Sequence, residues 1–123
     1  MRFDEGIPIY LQIKEKIEDA IISRSLREDE VIPSIRVLAQ QYRLNPQTVS
    51  NAFNELISEG FLYKKRGIGM FVEKGAQEKL QQRKSELFRK TEFIKVIAKG
   101  KTLGIKKNEI IKIIDNIYDR EDV

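Results

Sequence analysis

The sequence predicts a mainly α fold with one small β-hairpin, followed by a two-helix tail. Three observations predict it. Apolar residues recur at the helical period through most of the chain. Two helix starts carry capping residues, Ser34 and the pair Asn45-Pro46. The segment from Phe61 to Val72 switches to alternation around a glycine turn.

The first helix is expected from about Pro8 to Ser25. Proline suits a first helical turn, where its missing N–H costs nothing. Leu11, Ile13, Ile17, Ala20, Ile21 and Leu26 fall near one face, and Glu15, Glu18 and Asp19 take the solvent side. After the polar stretch Arg27–Glu30, Ser34 can accept a hydrogen bond from an orphan backbone N–H. A short second helix then runs to about Gln41, with Ile35, Leu38 and Ala39 as its buried stripe. Asn45 caps the third helix, Pro46 occupies its first position, and Gly60 ends it after Glu59. Val49, Phe53, Leu56 and Ile57 are spaced to face inward. Gln47, Thr48, Ser50, Asn51 and Asn54 face outward, and no acid precedes Glu55 on this helix. An outward face of amides and hydroxyls suits base edges and phosphates better than bulk water.

Phe61–Lys65 and Met70–Glu73 read as two strands joined at Arg66-Gly67-Ile68-Gly69. Lys74-Gly75 reads as a hinge. A fourth helix is expected from about Gln77 to Lys99, with Leu80, Leu87, Ile94, Ile97 and Ala98 on its apolar side. Gly100 and Gly104 break it, and a fifth helix spans about Lys107 to Arg120. Ile110, Ile113, Ile114, Ile117 and Tyr118 form its stripe. The expected domains are 1–75 and a helical tail at 76–123.

Composition narrows the function classes. The chain has 123 residues, room for one small domain and an appendage. It has no cysteine and no histidine, so disulfides, a zinc site and a Ser-His or Cys-His pair are all excluded. No metal or cofactor is expected. No apolar run approaches a membrane span, and the start MRFDEGIPIY lacks the apolar region of a signal peptide, so a cytoplasmic location with no membrane partner is expected. Residues 1–30 carry 5 Lys+Arg and 8 Asp+Glu, residues 31–75 carry 6 and 3, and residues 76–123 carry 12 and 8. The basic excess of the middle segment could face phosphates, or be a scatter of surface lysines.

Three helices with a tight second-to-third turn, then a basic hairpin, make a winged helix-turn-helix. In that arrangement the third helix enters the major groove and the hairpin lies along the adjacent backbone or minor groove. The motifs sharpen this. Pro8-Ile9-Tyr10-Leu11-Gln12-Ile13, Ile32-Pro33-Ser34-Ile35-Arg36 with Leu38-Ala39, Asn45-Pro46-Gln47-Thr48-Val49-Ser50-Asn51-Ala52-Phe53 with Leu56 and Gly60, and Gly67-Ile68-Gly69-Met70-Phe71-Val72 follow in order. Over residues 7–72 the chain resembles the GntR family of bacterial regulators, and its Asn-Pro-x-Thr-Val segment and short tail resemble the YtrA-type subfamily. It departs from the family pattern at Arg27–Val31, where relatives have a glycine turn, at Ile32 in place of leucine, and at Pro46 and Ser50, where many relatives carry arginine.

The resemblance implies a DNA-binding transcription regulator, a repressor acting as a homodimer on an inverted-repeat operator, with a transporter operon as the target class. Arg36 matches the family's DNA-contacting arginine, and its guanidinium could grip phosphate or guanine in two-pronged fashion; the rival is a plain surface arginine. Ser34, Asn45, Pro46, Gln47, Thr48, Ser50 and Asn51 are the other candidates on the helix-turn-helix, with helix-turn filler as the alternative for Thr48 and Ser50. Lys64, Lys65 and Arg66 are candidates for phosphate contact, or a solvated edge that lysines protect from aggregation. Gly67 and Gly69 either permit close approach to DNA or form a plain hairpin turn. Tyr63 and Phe71 are expected in the wing core.

Two amphipathic helices bury too little apolar surface to stand alone. The tail's stripes need a partner, and a second copy is the simplest. Leu87, Ile94, Ala98, Ile110, Ile113, Ile114 and Ile117 are the expected dimer interface. The tail has few convergent polar groups, so no small-molecule effector is expected. Two rival classes are an enzyme, against which no paired acids fall in an expected cleft, and a winged helix used as an interaction or architectural module without sequence specificity.

Overall fold

The computed structural model describes residues 3–120. Six helices and one hairpin follow in chain order: α1 Ile9–Ile22, α2 Ile35–Tyr42, α3 Pro46–Ser58, β1 Leu62–Lys65, β2 Gly69–Val72, α4 Ala76–Lys90, α5 Glu92–Thr102 and α6 Lys107–Tyr118. The chain divides into two compact units, one ending at Arg83 and one beginning at Lys84, so the division falls inside α4.

The first unit is the winged helix-turn-helix. α1 ends at Ile22, earlier than its apolar stripe suggested, because Arg24 turns left-handed at φ 65° and Leu26 N–H bonds back to Ala20 O at 3.0 Å. Leu26 thereby folds onto the core instead of extending the helix. Ile13, Ile17 and Ile21 of α1, Ala39 of α2, and Val49, Ala52, Phe53 and Leu56 of α3 form the core with Phe61, Leu62 and Val72 of the hairpin region. Glu18, expected in solvent, is buried, with 7% of its surface exposed. Ile57, expected inward, is 36% exposed. One more apolar position on α3 than its partners can cover leaves the stripe's edge in water.

The hairpin is antiparallel, with Leu62 opposite Val72 and Lys65 opposite Gly69. A third segment joins it. Val31 bridges Phe71, Glu28 bridges Val72, and Asp29 N–H and Ile32 N–H bond Val72 O and Met70 O at 2.8 and 2.9 Å. The α1–α2 connection thus covers one edge of β2, which would otherwise present unpaired backbone groups. The turn this requires is made at Asp29, φ 61°, without glycine.

The domain boundary expected at residue 75 lies further on. Ala76 and Leu80, one turn apart on α4, are both buried in the first unit's core, and Gln77 is buried with its Nε2 donating to Ile22 O at 3.1 Å. Leu80, which the helical period grouped with the tail, completes the winged helix instead.

The second unit holds the remainder of α4 with α5 and α6. The single helix expected over Gln77–Lys99 is two. Thr91 Oγ1 donates to Leu87 O at 2.7 Å, and Thr91 leaves helical geometry at φ −119°, ψ −87°. Such back-bonding by threonine bends helices, and here it separates α4 from α5. The tail segment therefore contains three helical pieces where two were expected. Gly100 does not break a helix but lies within α5, where an added Cβ would meet Ile110 Cδ1 at 3.5 Å; the turn to α6 is made by Gly104 at φ 81°. α5 and α6 contain no buried residue, so each keeps its apolar stripe at least partly in water.

Candidate nucleic-acid interface

The helix-turn-helix is set by two side-chain caps. Ser34 Oγ accepts from Val37 N–H at 3.1 Å and starts α2. Asn45 Oδ1 accepts from Gln47 N–H at 2.9 Å and starts α3 with Pro46 at its head. Between them Arg43 turns left-handed, and Leu44 N–H bonds Ala39 O at 2.8 Å. Ser34 and Asn45 thus each use an acceptor to orient a helix. Arg36 projects from the first turn of α2 and is exposed.

On α3, Gln47, Asn51 and Asn54 are exposed, and Thr48 and Ser50, expected outward, are half-buried. Gln47 Nε2 donates to Asn51 Oδ1 at 2.9 Å across one helical turn. This bond uses one donor and one acceptor. The amide pair still has Gln47 Oε1 to accept and Asn51 Nδ2 to donate, the combination that matches the N6 and N7 edge of adenine.

The wing presents Lys64, Lys65 and Arg66, all exposed. Lys65 Nζ lies 4.8 Å from the centre of the Phe71 ring, and Phe71 stacks on Tyr63 at 5.5 Å with 18° between planes. Both aromatic faces are therefore engaged within the wing. Tyr63 O–H donates to Asp29 Oδ1 at 3.0 Å, tying the wing to the α1–α2 connection. Burial and the carboxylate of Asp29 both push the Tyr63 phenol above its ordinary value. Gly67 and Gly69 differ in role. Gly67, φ 78°, has open space where a Cβ would stand, whereas at Gly69, φ 145°, a Cβ would lie 3.1 Å from Val31 Cγ2. At the second glycine the backbone angle disfavours a side chain, and the nearness of Val31 adds to that.

Sequence reasoning missed an ion network behind this surface. Lys14 Nζ lies 3.1 Å from Glu55 Oε2 and 2.6 Å from Glu59 Oε1, and Arg83 Nη2 lies 2.6 Å from Glu59 Oε2. α1 and α4 thereby grip the last turn of α3. No local spacing connects residues 14, 59 and 83, so no sequence signal could have found them. Among the described residues no cluster of acids could hold a metal ion, and no helix is long and apolar enough to cross a membrane.

The expected tail residues lie in the second unit. Leu87, Ile94, Ile113, Ile114 and Ile117 are exposed large apolar side chains, and Ala98 is exposed too. Ile110 is half-buried near Gly100, within its own unit.

Known proteins agree with this architecture. The model of the gntR family of bacterial regulatory proteins matches residues 9–72. The uncharacterized HTH-type transcriptional regulator YhcF of Bacillus subtilis (strain 168) is 31% identical over 113 residues, 90% of either chain. The HTH-type transcriptional repressor YtrA of the same organism is 28% identical over 110 residues, 89% of this chain and 84% of that one. The arabinose metabolism transcriptional repressor of Geobacillus stearothermophilus is 44% identical over 69 residues, 56% of this chain but only 19% of that longer protein. Among solved structures, a GntR family transcriptional regulator from Listeria monocytogenes superposes with a TM-score of 0.75 at 28% identity, over 93% of this chain and 98% of that one. The AraR DNA-binding domain in complex with operator ORR3 superposes with a TM-score of 0.53 at 33% identity, over 58% of this chain and 87% of that one. With the family match spanning the whole helix-turn-helix and wing, this chain belongs to the GntR family of bacterial transcription regulators.

Proposed function

We propose that the chain is a repressor of the YtrA type, which binds an inverted-repeat operator as a homodimer. The observation that carries this is the surface of the first unit: an exposed, hydrogen-bonded Gln47–Asn51 pair on α3, Arg36 on α2 and a cationic hairpin at Lys64, Lys65 and Arg66. In this reading α3 lies in the major groove, with Gln47 and Asn51 at base edges and Thr48 and Ser50 at its flanks. Arg36 grips phosphate or guanine. Ser34, Asn45 and Pro46 present the helix N-termini to phosphate, and the hairpin, through Gly67 and Gly69, follows the backbone. The dimer is held by the tail, where Leu87, Ile94, Ala98, Ile110, Ile113, Ile114 and Ile117 meet their counterparts. The repressor name of YtrA, similar over most of both chains, supports repression and the subfamily. No effector is required by this scheme, and a transporter operon is the expected target.

The test is binding to the chain's own promoter region against excess competitor DNA at two salt concentrations, followed by footprinting and by transcript levels in a deletion strain. A protected inverted repeat that survives competitor, with transporter transcripts rising on deletion, is the expected result. Binding that collapses with salt and protects no site would instead show an architectural module.

A further inference from the structure

The first unit carries a concave site that none of the proposed DNA contacts uses. Between α1, α2 and the connection that joins them lies a cleft of about 250 Å³. Buried Ile13, Ile17 and Ile32 and half-buried Ala20, Leu26 and Leu38 give it an apolar lining. Main-chain bonds hold its walls. Leu26 N–H bonds Ala20 O at 3.0 Å behind the left-handed Arg24, Ile32 N–H bonds Met70 O at 2.9 Å, and Ser34 fixes the start of α2. Lys16, Ser25, Pro33, Gln41 and Tyr42 complete the lining. All of these but the proline can donate a hydrogen bond, and Lys16 brings a positive charge. None of the lining side chains is acidic. An apolar surface with a few donors around it is the pattern of a small-molecule site, and the sign of its one charge selects an anion. At about 30 Å³ for each water in the liquid, the volume corresponds to roughly eight waters. That is too small for a peptide segment and right for a compact organic acid.

We propose that this cleft binds a small apolar monocarboxylate, with its hydrocarbon part on Ile13, Ile17 and Leu38 and its carboxylate at Lys16, and that occupancy is coupled to DNA binding through α2. The apolar part leaves water for the isoleucine and leucine surface. The carboxylate stays at the rim, where the ammonium of Lys16 meets it without full desolvation of either charge. α2 supplies Leu38, Gln41 and Tyr42 to the cleft and carries Arg36 on the same helix. A ligand seated against that wall biases the position of α2 relative to α1, and linkage then requires ligand and operator to change each other's affinity by the same factor. The site stands on the cleft alone, whereas the coupling rests on the DNA-binding mode proposed above.

The experiment uses the full chain, methyl NMR, and phenylacetate and hexanoate as probes. Both acids should shift the methyl signals of Ile13, Ile17 and Leu38 and leave those of Ile113 and Ile117 unmoved. Phenethyl alcohol, which lacks the charge, should bind about five-fold more weakly than phenylacetate, and Lys16→Gln should remove that difference. Ala20→Leu, which fills the cleft, should abolish the shifts at an unchanged melting temperature. Lys16→Gln, at an exposed position, keeps the test intact if Ala20→Leu does not fold. With a duplex selected from a randomised pool, saturating phenylacetate should change duplex affinity about five-fold or more, and the duplex should change phenylacetate affinity by the same factor. No shift with either acid, shifts centred on the tail, or equal binding of phenylacetate and phenethyl alcohol overturns the site and the coupling with it. Duplex affinity indifferent to phenylacetate overturns the coupling and leaves the site. If no duplex is enriched over the random pool, the DNA-binding mode fails and the coupling with it, while the methyl shifts still decide the site.

Discussion

Lys14 Nζ lies 2.6 Å from Glu59 Oε1, so the first helix holds the last turn of α3. Burial works against the charge of Glu59, but the Lys14 ammonium beside it and the hydrogen bond from Arg83 outweigh it and hold its carboxyl below the usual value of 4.5. Burial likewise opposes the charge of Lys14, and its ion pairs with Glu59 and Glu55 outweigh that and raise it above 10.5. A depressed carboxyl stabilises the fold above its unfolded value and loses that contribution as pH falls through its folded value. Glu59→Gln should therefore cost about 1 kcal/mol at neutral pH, discounted for partial exposure. The gap should close below 4.5 as the wild-type carboxyl protonates. Urea unfolding of both proteins at neutral and acid pH checks it. A gap that persists in acid would assign the loss to packing.

Arg36→Ala should leave the fold and melting temperature unchanged, because the side chain is exposed on the first turn of α2. Specific DNA affinity should fall by roughly 1–3 kcal/mol if the contact is two-pronged to a base. Titration of a footprinted duplex measures this, and wild-type affinity in the variant would reduce Arg36 to a surface arginine.

Replacing Lys64, Lys65 and Arg66 together by glutamine should weaken binding to every sequence alike. The slope of log K against log salt should shrink by up to about 0.9 for each phosphate the wing no longer neutralises. An unchanged slope would take the wing off the backbone.

Gly69→Ala places a Cβ 3.1 Å from Val31 Cγ2 at φ 145°. Strain at such a backbone position costs about 1–3 kcal/mol, read as a lower midpoint in chemical unfolding. Adding Val31→Ala should restore part of the stability, since it removes the clash but leaves the backbone strain. No restoration would show that the backbone conformation alone is responsible.

Ile113→Glu with Ile117→Glu should convert a dimer to a monomer. Both side chains are exposed in the single chain, and covering an isoleucine contributes roughly 1.5–3 kcal/mol, while a buried glutamate adds a stranded charge. The core of the first unit draws on neither position, so it should stay folded. Equivalent half-site positions about 10 bp apart, or a multiple, are expected for the two-fold dimer, and the monomer should lose most operator affinity. Sedimentation velocity and footprinting on the same samples decide. A variant that still sediments as a dimer moves the interface elsewhere, and a monomer with a full footprint ends the two-fold scheme.

What the sequence determined by itself is local. Ser34 and Asn45-Pro46 start helices because a cap and its target N–H lie within three residues of each other, and the observed bonds are those caps. The alternation from Phe61 and the turn at Gly67 are equally short-ranged, so the hairpin was legible, as were the exposed amides of α3. Tertiary structure decided which partner each apolar or charged face meets. Leu80 has the right period for either unit, and only the first unit's core offered a place for it. Glu18 is buried, and Ile57 exposed, because burial depends on how far the neighbouring helices reach around a stripe, a property of packing that spacing along one helix does not contain. Thr91 bends the tail by returning its hydroxyl to Leu87 O, a choice threonine makes only in some surroundings. The edge formed by Val31 beside Phe71, and the grip of Lys14 and Arg83 on Glu59, join residues tens of positions apart. Such contacts form only once the core has offset the entropy of closing the chain between them, and no periodicity foretells them.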